Sequence, residues 1–150
     1  MLHLKILNSR EIKDIFEKIE EQWGSKHKLD YGFLLNTKQK VFIISKEISS
    51  IDISKLRLNS VGIYFCELDN HGLRLSIEGS QLIGPHAKKN VVEIDEHETF
   101  KWFKGEDIEK ECDCEGFVLM KNKNDFLGTG KYLNGKILNF VSKTRRISSS

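Results

Sequence analysis

Proline is nearly missing from this chain of 150 residues: Pro85 is the only one. Cysteine is scarce and odd in number, with Cys66, Cys112 and Cys114 alone. That count, without an export signal, argues against a disulfide framework. Apolar runs stay near about five residues, as in Val41-Phe42-Ile43-Ile44, whereas a membrane-spanning helix needs about 20. The N-terminus lacks the charged, then apolar, then small-residue order of a signal peptide. A cytoplasmic protein without a membrane partner is expected. Few prolines with many Lys, Ile and Glu suit a warm-growing, archaeal-like or AT-rich source.

Hydrophobic residues make up 39% and charged residues 31%, the balance of a chain that folds. The net charge of +2 conceals a strong asymmetry. Residues 121–150 hold seven Lys/Arg against the single Asp125, while residues 1–120 are net acidic. A basic segment of this kind draws phosphate, and acidic flanks keep the molecule dispersed. The competing reading is a solvated basic tail.

Ile12, Ile15, Phe16, Ile19 and Trp23 fall on one face of a 3.6-residue period, predicting a helix over 9–23. Asn8 and Glu11 supply a capping box, and Gly24 a stop. Tyr31–Asn36 and Lys40–Ser45 read as a hairpin. Ile48–Ile53 reads as a short helix or turn, Val61–Leu68 and Leu73–Ile77 as strands, and Gly79–Ile83 as one helical turn ended by Gly84-Pro85. Beyond it the pattern predicts a strand at Lys88–Ile94. A helix capped by Asp95 follows, with Phe100 and Phe103 inward and Trp102 partly covered. The acidic segment Glu106–Glu115 is expected to loop out. Strands are expected at Gly116–Lys121, Phe126–Tyr132, Lys136–Val141 and Lys143–Ile147. Asn134-Gly135 is a strong hairpin signal.

The fold class is therefore α+β. A helix-plus-antiparallel-sheet domain (1–87) precedes a small β-barrel domain (88–150), and Gly84-Pro85-His86 serves as the joint.

Chemistry is sparse. Cys112 and Cys114 give two thiols where a closed zinc site needs four ligands. The five histidines sit in no nucleophile motif. Gly128-Thr129-Gly130-Lys131 fails the phosphate-loop spacing, because Tyr132 follows Lys131. Ten acids against three lysines from Glu93 to Glu115 read as a solvated face. Neither a catalytic residue, a metal nor a cofactor is expected, and the chain is read as a non-enzyme.

Five stretches carry a family resemblance. They are Asn90-Val91-Val92-Glu93-Ile94, the helix end Lys104-Gly105-Glu106-Asp107, Gly116-Phe117-Val118-Leu119-Met120, Phe126-Leu127-Gly128-Thr129-Gly130-Lys131 and Lys143-Thr144-Arg145-Arg146-Ile147. Through them the second half resembles a PUA domain, an RNA-binding module. The whole chain is similar to the two-domain ribosome-biogenesis family Nip-seven, with a pre-PUA domain in front. Leu75–Gly84 also resembles the RNA-binding modules of Sun-family RNA cytosine-5 methyltransferases. These 150 residues hold nothing like the catalytic domain of those enzymes.

The resemblance implies RNA binding through Lys143, Arg145 and Arg146, with Lys131 and Lys136 nearby and Lys101 and Lys104 on the helix. The RNA would be ribosomal or transfer RNA. The N-terminal domain would dock a ribosome-assembly or RNA-modification protein. The acidic segment 106–115 departs from the family, because acids there repel phosphate. From the residues alone, Arg and Lys on adjacent strands track a phosphate backbone, and Tyr132 or Phe140 offers a ring to a base. Phe140 has the competing role of a core residue, and Arg145-Arg146 that of partners to the acidic segment. Two functions follow: a non-catalytic RNA-binding protein in ribosome biogenesis or RNA maturation, or an RNA-binding accessory subunit of an rRNA or tRNA methyltransferase.

Overall fold

A computed structural model describes residues 4–46 and 62–147. The turn expected at Ile48–Ile53 lies outside the described residues. Helix α1 (Ser9–Trp23) begins at the capping box: the Asn8 side chain accepts from the Glu11 N–H, and the Glu11 carboxylate accepts from the Asn8 N–H. It ends at Gly24, whose φ of 73° is a left-handed cap that favours glycine. Its buried face is Ile15, Phe16, Ile19 and Trp23, as the period requires.

That face covers an antiparallel sheet in chain order β1 (Lys5–Ile6), β2 (Gly32–Leu35), β3 (Lys40–Ile44), β4 (Ile63–Asp69) and β5 (Gly72–Leu75). Phe16, Phe33 and Phe65 meet edge to face at 5.8 and 5.9 Å, the preferred geometry for ring quadrupoles. The Gln22 amide clamps β5, donating to the Leu73 carbonyl and accepting from the Leu73 N–H, both at 2.8 Å.

The strand expected to run to Ile77 stops at Leu75. Ser76 ends it: its hydroxyl donates to the Tyr64 carbonyl at 2.6 Å and accepts from the Gly79 N–H at 2.9 Å. A hydroxyl in that position caps a helix. Helix α2 accordingly runs over Ile77–Ile83, and a 3-10 turn, Gly84–His86, follows it.

The second sheet has the order β6 (Val91–Glu93), β8 (Gly116–Asn122), β9 (Asp125–Leu133), β10 (Lys136–Asn139) and β7 (Ile108–Glu109). Strands β6 and β8 are parallel and the other pairs antiparallel. The sheet curls around helix α3 (Glu96–Phe103), giving the α+β architecture with a half-open barrel. Asn134 and Gly135 take φ of 50° and 81°, the pair of positive values that a two-residue hairpin turn needs.

Three local expectations change. The acidic segment does not loop out throughout: Ile108 is apolar enough to be buried, and Ile108–Glu109 pairs with β10. Within α3 the inward ring is Trp102, fully buried with its indole N–H donating to the Leu127 carbonyl at 2.9 Å, while Phe100 is 51% exposed. The close approach of β9 to that indole requires Gly130, where a Cβ would stand 2.9 Å from the Trp102 ring. Finally, Lys143–Arg145 is a 3-10 turn rather than a strand.

The two sheets share apolar contacts. Phe117, Leu119 and Phe126 of the second sheet belong to the same cluster as α1 and the first sheet. Two buried hydroxyls fasten α2 and β5 to β9. The Ser80 Oγ accepts from the Gly128 N–H, and the Thr129 Oγ1 donates to the Leu75 carbonyl, each at 2.9 Å. A separate cluster of Val92, Ile94, Trp102, Val118, Met120 and Ile137 fills the curled sheet.

Candidate nucleic-acid interface

The last turn of α3 exposes carbonyls, and a helix C-terminus attracts cations and N–H donors. Asn139, at the end of β10, satisfies this end. Its Nδ2 donates to the carbonyls of Trp102 and Glu106 at 2.7 and 2.8 Å, and its Oδ1 accepts from the Val141 N–H at 2.7 Å. The closing segment is thereby steered across the helix end. The Ile147 N–H then donates to the Phe103 carbonyl at 2.8 Å. Arg146 folds over Gly105, with its Nε donating to the Val141 carbonyl at 3.0 Å.

This docking places Arg146 against Gly105, next to Lys104 at the end of α3. The Lys104 ammonium lies 4.7 Å from the Phe100 ring, a cation held at an exposed aromatic face. The closing segment meets the end of α3 through a 3-10 turn instead of a strand.

Three of the other cations are placed differently. Arg145 turns toward the first half, where its guanidinium donates to Glu78 of α2 at 2.5 and 2.9 Å. Lys136 sits 3.6 Å from Asp107 in a cleft that Lys101 shares with Glu98, Glu106 and Glu109. Lys131 lies 5.9 Å from the Phe117 ring, on the side facing the first sheet. The acidic segment therefore neutralises Lys136, not the Arg145-Arg146 pair. The seven cations do not form one continuous face.

The two aromatic candidates also have other tasks. The Tyr132 hydroxyl donates to Glu111 at 3.0 Å, a bond that raises its pKa. Phe140 is 39% exposed rather than core, and the Arg74 guanidinium, paired with Glu67, lies 4.4 Å from its ring. The Cys112 and Cys114 thiols are free and hydrogen-bonded to each other. Burial, reinforced by that bond, pushes the Cys112 thiol up to about 12. Among the described residues no cluster of three or more His, Cys, Asp or Glu is arranged for a metal ion.

Sequence reasoning missed two features. Asn139 organises the closing segment, and only its place after a hairpin strand hinted at a capping role. Lys88 and Lys89 are exposed just after the 3-10 turn that holds Pro85, and the signal was a Lys-Lys pair directly after a rigid turn.

Residues 89–147 match the family described as the methyltransferase RsmF PUA domain. This half of the chain is a PUA-like RNA-binding module. It is related to the modules of Sun-family methyltransferases. Over 87 residues the chain is 30% identical to "Ribosomal RNA small subunit methyltransferase F" of Vibrio vulnificus (strain YJ016), covering 58% of this chain and 18% of that protein. The protein of the same name from Vibrio parahaemolyticus is 27% identical over 93 residues, covering 58% of this chain and 20% of the relative. The chain thus spans about a fifth of the length of these curated relatives. In the PUA-like module the RsmF match includes α3, the β8–β10 sheet and the docked closing segment.

Proposed function

We propose that this chain is a non-catalytic RNA-binding unit that serves an RNA-modification enzyme of the ribosomal RNA methyltransferase kind. The observation that carries the reading is the match of residues 89–147 to a module that such methyltransferases possess. Of the two functions left open by the sequence, the matches favour the accessory role over an independent ribosome-biogenesis factor. Supporting it physically, Arg146 packs on Gly105 next to Lys104 at the C-terminal end of α3, two cations suited to phosphates. Arg146 adds a planar guanidinium that stacks on bases as well as pairing with phosphate. The first sheet and α1 then form the platform that faces a protein partner.

Crosslinking the chain to RNA in cells and sequencing what is bound tests this reading, together with a pulldown of its protein partners. Ribosomal RNA with an RNA methyltransferase is the expected result. Recovery of ribosomal precursors with assembly factors supports the ribosome-biogenesis reading instead, and no RNA at all removes both.

A further inference from the structure

A second basic surface lies at the opposite edge of the curled sheet from the closing segment. Strand β6 forms that edge, and the 3-10 turn leads into it. Here the N–H groups of Lys88 and Lys89 donate to the Trp23 carbonyl at 2.7 and 3.3 Å, and the Asn90 amide donates to the Gln22 carbonyl at 2.6 Å. These bonds lock the end of α1 against residues 88–90. The exposed Lys88 and Lys89 side chains line an open cleft of about 730 Å³, within the size range of ligand clefts.

Lys88, Lys89 and Lys121 line this cleft, and a second hollow that shares Pro85, Ala87 and Lys88 extends it to Lys26. None of these four lysines has a carboxylate within ion-pair distance among the described residues. The one acid on the lining is Asp113. The contrast with Arg145 and Lys136, both paired, is plain.

The walls are not only cationic. His27 and His86 stack at 3.8 Å with their planes 9° apart, and His86 is exposed. A stacked pair with one open face is a ready platform for another flat ring. Phe126 and Val91 add apolar surface. Cations without a carboxylate partner (Lys121 lies 5.5 Å from the Phe126 ring), an exposed stacking face and an open groove together match an unpaired nucleotide strand. Single-stranded nucleic acid is held by such a combination of backbone cations and base-stacking rings. A duplex presents no free base face to His86.

We infer that the cleft at the Pro85 joint binds a single-stranded segment of RNA, with phosphates along Lys26, Lys88, Lys89 and Lys121 and a base stacked on His86. This rests on the RNA-binding reading above and adds to it a separate contact surface outside the closing segment.

The test uses the full chain and a labelled single-stranded oligoribonucleotide. Each phosphate contact on a single strand contributes about 0.7 to the slope of log K against log salt, or roughly fivefold at about 0.1 M salt. K88A/K89A is expected to weaken binding about 25-fold and flatten the slope by about 1.4. H86A is expected to weaken the single strand at least about fivefold and to leave a blunt duplex of the same sequence unaffected. A measurement on the unmutated chain guards against misfolded variants. Cys112 and Cys114 line the cleft, while Cys66 is fully buried. Bound RNA should therefore slow maleimide labelling of Cys114, read by mass spectrometry. Binding that persists in K88A/K89A, with labelling unchanged at saturating RNA, overturns the cleft and leaves the closing-segment surface standing. Equal protection by polyglutamate overturns it too, as bare charge attraction. If the unmutated chain binds no RNA, the broader reading falls with it.

Discussion

Arg145 is held by Glu78 across the two halves, and this pair gives the account a signed test. The contacts are 2.5 and 2.9 Å, with the side chains 49% and 36% exposed. A pair this exposed contributes little to folding, at most about 1 kcal/mol, because water screens it and two long side chains must be ordered. If Arg145 is an RNA contact, Glu78 competes with phosphate for it. Glu78→Gln removes the competing charge and retains the shape. One additional phosphate contact on a single strand then becomes available, worth roughly fivefold in affinity at about 0.1 M salt and about 0.7 in salt slope. Fluorescence anisotropy with a labelled single-stranded RNA, repeated at several salt concentrations, reads both quantities. The gain should vanish in the double variant E78Q/R145A. An affinity and slope unchanged in E78Q would refute the assignment of Arg145 to the RNA surface. The pair would then be a tie between α2 and the closing segment.

Gly79→Ala should destabilise despite alanine's better helix propensity, because the new Cβ would stand 2.2 Å from the backbone carbonyl of Phe65. A loss of about 1–3 kcal/mol is expected from urea melts, and a gain would show that α2 shifts freely. Asn139→Ala removes three side-chain hydrogen bonds at the end of α3, costing about 2–4 kcal/mol and loosening residues 140–147 toward protease. Intact protease resistance in that variant would contradict the capping role. Burial and the bond to Cys114 raise the Cys112 thiol to about 12, so its alkylation should accelerate with pH well past 9. The unfolded thiol ionises near about 8.5, so above that pH the folded state retains a proton that the unfolded state has lost. Stability is thus full below about pH 8.5 and declines as pH rises toward 12. A Cys112 that alkylates at pH 8 as fast as a free peptide thiol would contradict this.

Where local chemistry dictated structure, the chain was easy to read. The Asn8–Glu11 capping box, the Asp95 cap, the Gly24 stop and the Asn134-Gly135 hairpin form because near neighbours satisfy each other's backbone groups. The failures depend on distant partners. Trp102 is buried because β9 supplies Gly130 and the Leu127 carbonyl, neither visible in the helix's own period. Phe140 meets Arg74 and Phe117, both far away in sequence, at the surface instead of entering the core. The closing segment had the residue pattern of a strand, yet Asn139 takes the hydrogen bonds that would have continued β10. Charge counting found the basic segment but not its pairing, since Glu78 and Asp107 reach Arg145 and Lys136 only in three dimensions. Lys88 and Lys89 stand side by side in the sequence, but only the cleft they line with Cys112–Cys114 and Lys121 gives the pair a meaning.

The most direct measurement is the salt dependence of RNA affinity for the purified chain. With about five basic residues touching phosphate on a single strand, log K should fall against log salt with a slope of roughly −3 to −4. A slope near zero, or no measurable affinity at low salt, would contradict the claim that this PUA-like module holds RNA through its basic side chains.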